Sequence, residues 1–309
     1  MVMYEVHRHP VLQKYRTHIC SKATIFQFFV IWLTYLPPLI IAFVTYGFWM
    51  KESSFREQPN VQFKHQLLLV AQGNTPGSYL AYSTFLNFNQ LLQQNLRIPL
   101  VKSWEEDTNY DGKYDSLNFD IRLPLKDAES IYSVQVIMLF DYKLHKYVSL
   151  QMEGMAYIHY DSPIAGAEFR TVGELKLRQT SLLPNKGKHS TYNTSIIDSS
   201  KTSVETYDLF TIFSSYIKRN VSTEYVSKYP VWTGGRASGQ PFVIKGTIHY
   251  PEEMIFYRPG FWQMLKWAWV QYLSVLFIFL FVFDRVKRFI FEEQIVSTVP
   301  MQLEKEHQD

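Results

Sequence analysis

Two stretches of this chain carry no formal charge, and they lie toward its two ends. Ala23 to Met50 is 28 residues long, and Trp267 to Phe283 is 17. At 1.5 Å per helical residue the first reaches about 42 Å and the second about 26 Å, against a bilayer hydrocarbon core of roughly 30 Å. Phe261, Trp262, Met264 and Leu265 extend the second outward. Both read as membrane-spanning helices. The mean hydropathy of −0.14 would suit a soluble protein, so the apolar character is concentrated in these ends. The stretch between them must then fold as a domain in water. The expected organisation is a cytosolic segment 1–22, a span 23–48, an exoplasmic β-rich domain 49–262, a second span 263–283 and a cytosolic tail 284–309.

A cleaved signal peptide fits poorly. Its apolar core runs 7–15 residues, whereas this one is far longer and contains Pro37 and Pro38. Those prolines remove two backbone donors and predict a kink, tolerated if a neighbouring helix or Thr34 covers the freed carbonyls. Arg8, Lys14, Arg16 and Lys22 precede the first span, and Arg285, Lys287 and Arg288 follow the second. Positive charge marks the cytosolic side. Two acceptor sequons, at Asn193 and Asn220, fall between the spans and predict glycosylation of an exoplasmic loop. Both signals put the termini in the cytosol. Tyr46, Phe48 and Trp49 close the first span, while Phe261, Trp262, Trp267 and Trp269 open the second, as interfacial belts on one face.

Between the spans, alternating and β-branched runs predict strands at Val61–Ala71, Leu117–Leu125, Ile131–Leu144, Val148–Tyr160, Phe169–Gln179 and Pro241–Tyr257. Asp208 reads as the N-cap of one short helix through Ile217. The polar stretch 184–203 reads as an exposed loop. The fold expected is an antiparallel β-sandwich with one short helix, flanked by two transmembrane helices. A loop of this size needs no disulfide, in keeping with the single cysteine, Cys20.

One motif resembles a metal loop. Asp107, Asn109, Asp111 and Asp115 place oxygens at positions 1, 3, 5 and 9, with Gly112 at position 6 and the Lys113 carbonyl at 7. Position 12 is Asn118 rather than glutamate, so two oxygens of a calcium shell are lacking, and Glu105, Glu106 or water would replace them. The site is expected to hold structural calcium or to be an acidic turn. No nucleophile elbow, zincin, phosphate-loop or dinucleotide motif occurs, and His65, His145, His159 and His249 are scattered, so the chain reads as no enzyme with no other cofactor. Cys20 beside Lys22 is a candidate for reversible acylation. Neither span holds an internal ionisable residue, against an ion pathway through this chain alone. A net charge of +3 without basic runs excludes nucleic acid.

The segments CSKATIFQFFVIWLTYLPPLIIAF, GFWMKESSFREQPNVQFKHQLLLVA, EEDTNYDGKYD and YRPGFWQMLKWAWVQYLSVLFIFLFVFDRVKRF together resemble the transmembrane protein 231 family. The likeness runs from Tyr4 to about Pro300. It implies a multi-pass component of the ciliary transition zone, in a Meckel-syndrome-type complex with B9-domain proteins, tectonic proteins and meckelin. It implies a scaffold of the diffusion barrier that sets ciliary membrane composition, supporting cilium biogenesis and Hedgehog signalling, with loss causing ciliopathy. The alternative is an auxiliary two-span subunit of a channel or receptor. Acid-gated channel subunits share that outline but rely on a cysteine-rich ectodomain, which this loop lacks.

Overall fold

The computed structural model describes residues 13–302 except 20, 46–49, 76 and 202. The cysteine of the acylation expectation, the belt residues Tyr46, Phe48 and Trp49, Arg8 and the tail beyond 302 lie outside the described residues.

In chain order the elements are β1 Gln13–Arg16, α1 Lys22–Val44, β2 Ser53–Glu57, β3 Asn60–Gln72, β4 Tyr79–Ser83, α2 Leu86–Leu92, β5 Leu100–Glu106 and β6 Ser116–Leu123. There follow β7 Ile131–Leu144, β8 Ser149–Gln179, β9 Leu183–Pro184, β10 Lys188–His189, α3 Leu209–Ile217, β11 Val221–Ser227 and β12 Val231–Gly234. The last are β13 Phe242–His249, β14 Glu253–Arg258, α4 Phe261–Glu292 and β15 Val299–Gln302. The chain divides into two compact units: Glu52–Pro259, and the two ends outside it.

The first unit is the β domain. Its main sheet runs β4-β3-β7-β8-β13-β6-β5, with β10, β11 and β12 also on β8. The strand β8 organises everything. Its first half pairs with β7, and its second half lies between β11 and β13. The stretch Asp161–Ala165, exposed or half-exposed throughout and with Pro163 at its centre, separates the two halves. One strand thereby belongs to both layers of a sandwich. Val61, Leu67, Leu69, Val136, Met138, Phe140, Phe119, Ile121 and Ile244 share one buried core. At the crease Tyr160, Trp232 and Phe169 stack, and a Cβ at Gly166 would come within 2.3 Å of the Trp232 ring. Only glycine admits the indole there.

The mainly-β architecture between two apolar helices is thus as expected. Most ladders are antiparallel, while β13 lies parallel to β8. A second helix, α2, covers the same face as α3, where Phe85, Tyr207, Ile212 and Tyr216 pack on Leu68, Ile137 and Leu139. Its seven residues, LNFNQLL, are too few to announce a helical period. Asp208 caps α3 as anticipated, its Oδ2 accepting from the Thr211 N–H at 3.0 Å.

The second unit holds the two long helices, with mean hydropathies of 1.9 and 1.7 in their most apolar windows. α1 continues through both prolines. The Thr34 hydroxyl donates to the Val30 carbonyl at 2.7 Å, one turn before the carbonyls of Leu33 and Thr34 that the prolines leave free. α4 carries on past Asp284 to Glu292, supported by the Asp284–Arg288 ion pair at 2.7 Å. β1 and β15 pair antiparallel, Gln13 with Gln302 through Arg16 with Val299. That ladder brings the two terminal segments together.

Candidate functional site

The residues singled out in the β domain fall at two places. The first is the turn between β5 and β6. Asp107 Oδ2 accepts from the Gly112 N–H at 3.0 Å, Asn109 Oδ1 from Asp111 N–H at 3.0 Å, and Asp111 Oδ1 from Lys113 N–H at 2.9 Å. Asp115 Oδ2 takes the Thr108 N–H at 2.8 Å and its Oδ1 takes the Gln58 amide at 2.7 Å. These bonds, the Gln58 amide foremost, hold the Asp115 carboxyl below the usual carboxylate range. Gly112 sits at φ +85°, where a side chain would be strained. Lys113 turns its ammonium to the Gln58 carbonyl at 3.0 Å.

The structure therefore gathers Asp107, Asn109, Asp111, Lys113 and Asp115 into one turn and engages their oxygens mainly with the turn's own amides. Asp107 Oδ1 is enclosed without a partner. Among the described residues no three His, Cys, Asp or Glu side chains converge as metal ligands. His65 lies in a bulge of β3, His145 in the β7–β8 turn and His249 at the end of β13, while His159 pairs with Asp161 at 3.1 Å.

The second place is the corner that carries both sequons. Asn193 and Asn220 are exposed. The Asn220 N–H donates to the Tyr192 hydroxyl at 3.2 Å. Between them the Arg219 guanidinium donates to the Tyr192 and Thr194 carbonyls, each at 3.3 Å, and lies 5.7 Å from the Tyr192 ring. Beneath, the buried Glu153 pairs with Lys64, which the β3 bulge directs inward, and accepts from Ile196 N–H at 2.8 Å. The polar stretch 184–203 is thus pinned to the sandwich from below, with both acceptor asparagines outward.

A third arrangement had no signal in the sequence. β2 follows α1 along the chain, and β14 precedes α4. These two strands pair with Glu57 directly opposite Glu253. Glu57 is buried and accepts from the His145 and Lys146 N–H groups at 2.9 and 3.1 Å. Glu253 accepts from the Leu177 N–H at 2.7 Å and faces the fully buried Tyr142 hydroxyl at 3.5 Å. Burial pushes the Glu253 carboxyl up to about 7, against the pull of the Leu177 N–H, Tyr142 and Lys176. A glutamate inside an alternating strand looks like any outward-facing residue until β2 and β14 are laid against β7, β8 and the turn between them.

Compared with known proteins, residues 1–300 match the family described as transmembrane protein 231. The Xenopus tropicalis transmembrane protein 231 is 50% identical over 299 residues, covering 97% of this chain and 96% of that protein. The Homo sapiens protein is 46% identical over 302 residues, with the same coverages of 97% and 96%. The Bos taurus protein is 45% identical over 314 residues, 99% of each chain. Among solved structures, a proton-activated chloride channel aligns over 85% of this chain and 100% of that one, at 8% identity and a TM-score of 0.21. So low a score carries nothing over.

Proposed function

The chain belongs to the transmembrane protein 231 family, and from that premise we propose that it is a non-enzymatic scaffold of the ciliary transition-zone membrane. The observation that carries this reading is a match extending through both apolar helices and the whole domain between them. In this reading the protein sits at the base of the primary cilium with both termini in the cytosol. It joins a Meckel-syndrome-type complex with B9-domain proteins, tectonic proteins and meckelin. The two helices pack against partner helices, and the β domain meets partners on the exoplasmic side. Barrier function restricts which membrane proteins enter the cilium and thereby supports cilium assembly and Hedgehog signalling.

The pairing of β1 with β15 supports the hairpin topology, because both terminal segments must then lie on the same side. Asn193 and Asn220 are proposed as glycosylation sites on the opposite side, and Cys20 as an acylation site. The Asp107–Asp115 turn is proposed as a weak structural calcium site. The experiment is removal of the protein from ciliated cells. Membrane proteins should leak into or out of cilia while bulk membrane transport stays intact, and the reintroduced chain should restore the barrier. Normal ciliary composition in its absence, with ion current from the purified protein, would overturn the proposal.

A further inference from the structure

The β5–β6 turn carries at its tip a residue that the fold does not use. Tyr110 is 91% exposed, the highest value of any large apolar or aromatic side chain among the described residues. No hydrogen bond, ion pair or ring contact engages its side chain among those residues. The turn is held instead by Asp107, Asn109, Asp111 and Asp115, which accept its backbone N–H groups. The Tyr110 backbone lies at φ +57°, where glycine or asparagine is favoured over a bulky side chain. Neither burial nor backbone conformation accounts for a tyrosine at this position. Its phenol is a nucleophile held out in water, open to another molecule.

Its charge setting is as unusual as its exposure. Five carboxylates lie within five positions of it: Glu105, Glu106, Asp107, Asp111 and Asp115. Lys113 is the one cation in that window, and its ammonium is turned to the Gln58 carbonyl at 3.0 Å. Glu105 Oε1 accepts from the Phe63 N–H at 2.8 Å, which leaves Glu106 and Asp111 as the exposed acids before and after the tyrosine. The other exposed tyrosines of the β domain lack this combination. Tyr79 and Tyr147 have no acid within five positions, and Tyr229 has only Glu224. Tyr114 has Asp111 and Asp115 but is 37% exposed. Exposure comes from the fold and charge from the sequence, and the two coincide at Tyr110 alone.

We infer that the Tyr110 phenol is a modification site, the acceptor of a sulfuryl group from a sulfonucleotide in the secretory lumen. The Tyr110 oxygen bonds to sulfur, and the sulfur–oxygen bond to the nucleotide's phosphate breaks. The phenol proton passes to a base of the transferase, and the nucleoside bisphosphate leaves. A transferase that holds so anionic a donor presents a cationic cleft, and the carboxylates around Tyr110 complement that charge and steer the encounter. The product carries a fixed negative charge at the tip of the turn. The turn's hydrogen bonds survive the reaction, because none of them involves the phenol. The inference rests on the exoplasmic placement of the β domain and is independent of any ciliary role.

The full chain, expressed in animal cells fed radioactive inorganic sulfate, tests it after enzymatic removal of N-glycans, which can carry sulfate themselves. Alkaline hydrolysis of the wild type should release labelled tyrosine sulfate. Tyr110→Phe should abolish that label with the melting temperature unchanged, while Tyr114→Phe should keep it. Glu106→Gln with Asp111→Asn keeps the acceptor oxygens and removes two charges, and it should lower the label several-fold. Label that persists in Tyr110→Phe, or radioactive phosphate in place of sulfate on this tyrosine, would overturn the assignment. A wild type that carries its glycans but no tyrosine sulfate would overturn the site and leave the topology standing. A wild type with neither would overturn both.

Discussion

Glu57 and Glu253 stand directly opposite one another in the ladder between β2 and β14. Like charges at such a position repel, and the protein separates them by environment. Glu57 takes two backbone N–H groups of the β7–β8 turn, while burial raises the Glu253 carboxyl to about 7. The facing groups are Tyr142 from β7 and Glu174 and Lys176 from β8. The pair joins the first and last strands of the β domain, β2 after α1 and β14 before α4 along the chain.

Stability should therefore depend on pH in a definite sense. In the unfolded chain Glu253 titrates near 4.5, and in the folded protein near 7. The stabilisation from its protonated form is complete below the lower value and is lost as pH rises through the upper one. A shift of that size is worth at most about 3 kcal/mol, less where water still reaches the carboxyl. Thermal unfolding of the full chain between pH 5 and pH 8 should show a melting temperature that falls with pH. Glu253→Gln should flatten the fall and raise the value at pH 8. Glu105 is shifted upward by burial too, so the difference between wild type and variant isolates Glu253.

Thr223 does for Met155 what a neighbouring strand would otherwise do. The Met155 N–H donates to the Thr223 hydroxyl at 2.7 Å, and that hydroxyl donates to the Met155 carbonyl at 2.9 Å. The Tyr216 hydroxyl accepts the Thr223 N–H at 2.7 Å. Thr223→Val keeps the shape, strands the Met155 carbonyl and leaves the Met155 N–H only the Tyr216 hydroxyl at 3.2 Å, which should cost about 1–3 kcal/mol in denaturant unfolding. Thr223→Ser keeps the hydroxyl and should cost about 1 kcal/mol for the lost methyl. Equal losses in the two variants would show that packing, not the hydroxyl, matters there.

Asn193 and Asn220 share one exposed corner, each free at its side chain to accept a glycan. Enzymatic deglycosylation should shift the wild type by two increments, each single Asn→Gln variant by one, and the double variant not at all. A protease added to sealed vesicles should leave the stretch 52–259 intact. Cleavage of that stretch from the cytosolic side would reverse the topology.

The turn at Gly112 separates two ways of holding the same carboxylates. Gly112→Ala forces a side chain into φ +85° and should destabilise the full chain by about 1 kcal/mol. Calcium must compete with the amides that Asp107 and Asp111 already accept. As a weak site at ten times its dissociation constant it adds about 1.4 kcal/mol, so the melting temperature should rise in millimolar calcium over chelator, and Asp111→Ala should abolish the rise. No rise would leave a turn closed by its own backbone.

Local composition and periodicity by themselves determined the two apolar helices, the strand Ile131–Leu144, the cap at Asp208 and the outward sequons. Each depends on residues within a turn or a strand of one another, and the hydrophobic effect writes such patterns directly along the chain. The tertiary structure alone decided the rest. Phe169–Gln179 and Val148–Tyr160 look like separate strands, and only the crease at Gly166 and Trp232 joins them as β8. Nothing local in Gln13–Arg16 announces Val299–Gln302 as its partner. Glu57 reads as a surface residue until β14 brings Glu253 opposite it, and Phe26 and Phe291 read as unrelated apolar positions until their rings meet edge-on. Pairing, burial and height depend on residues that the chain separates by tens to hundreds of positions, and a sequence pattern records what a residue is, not what is folded against it.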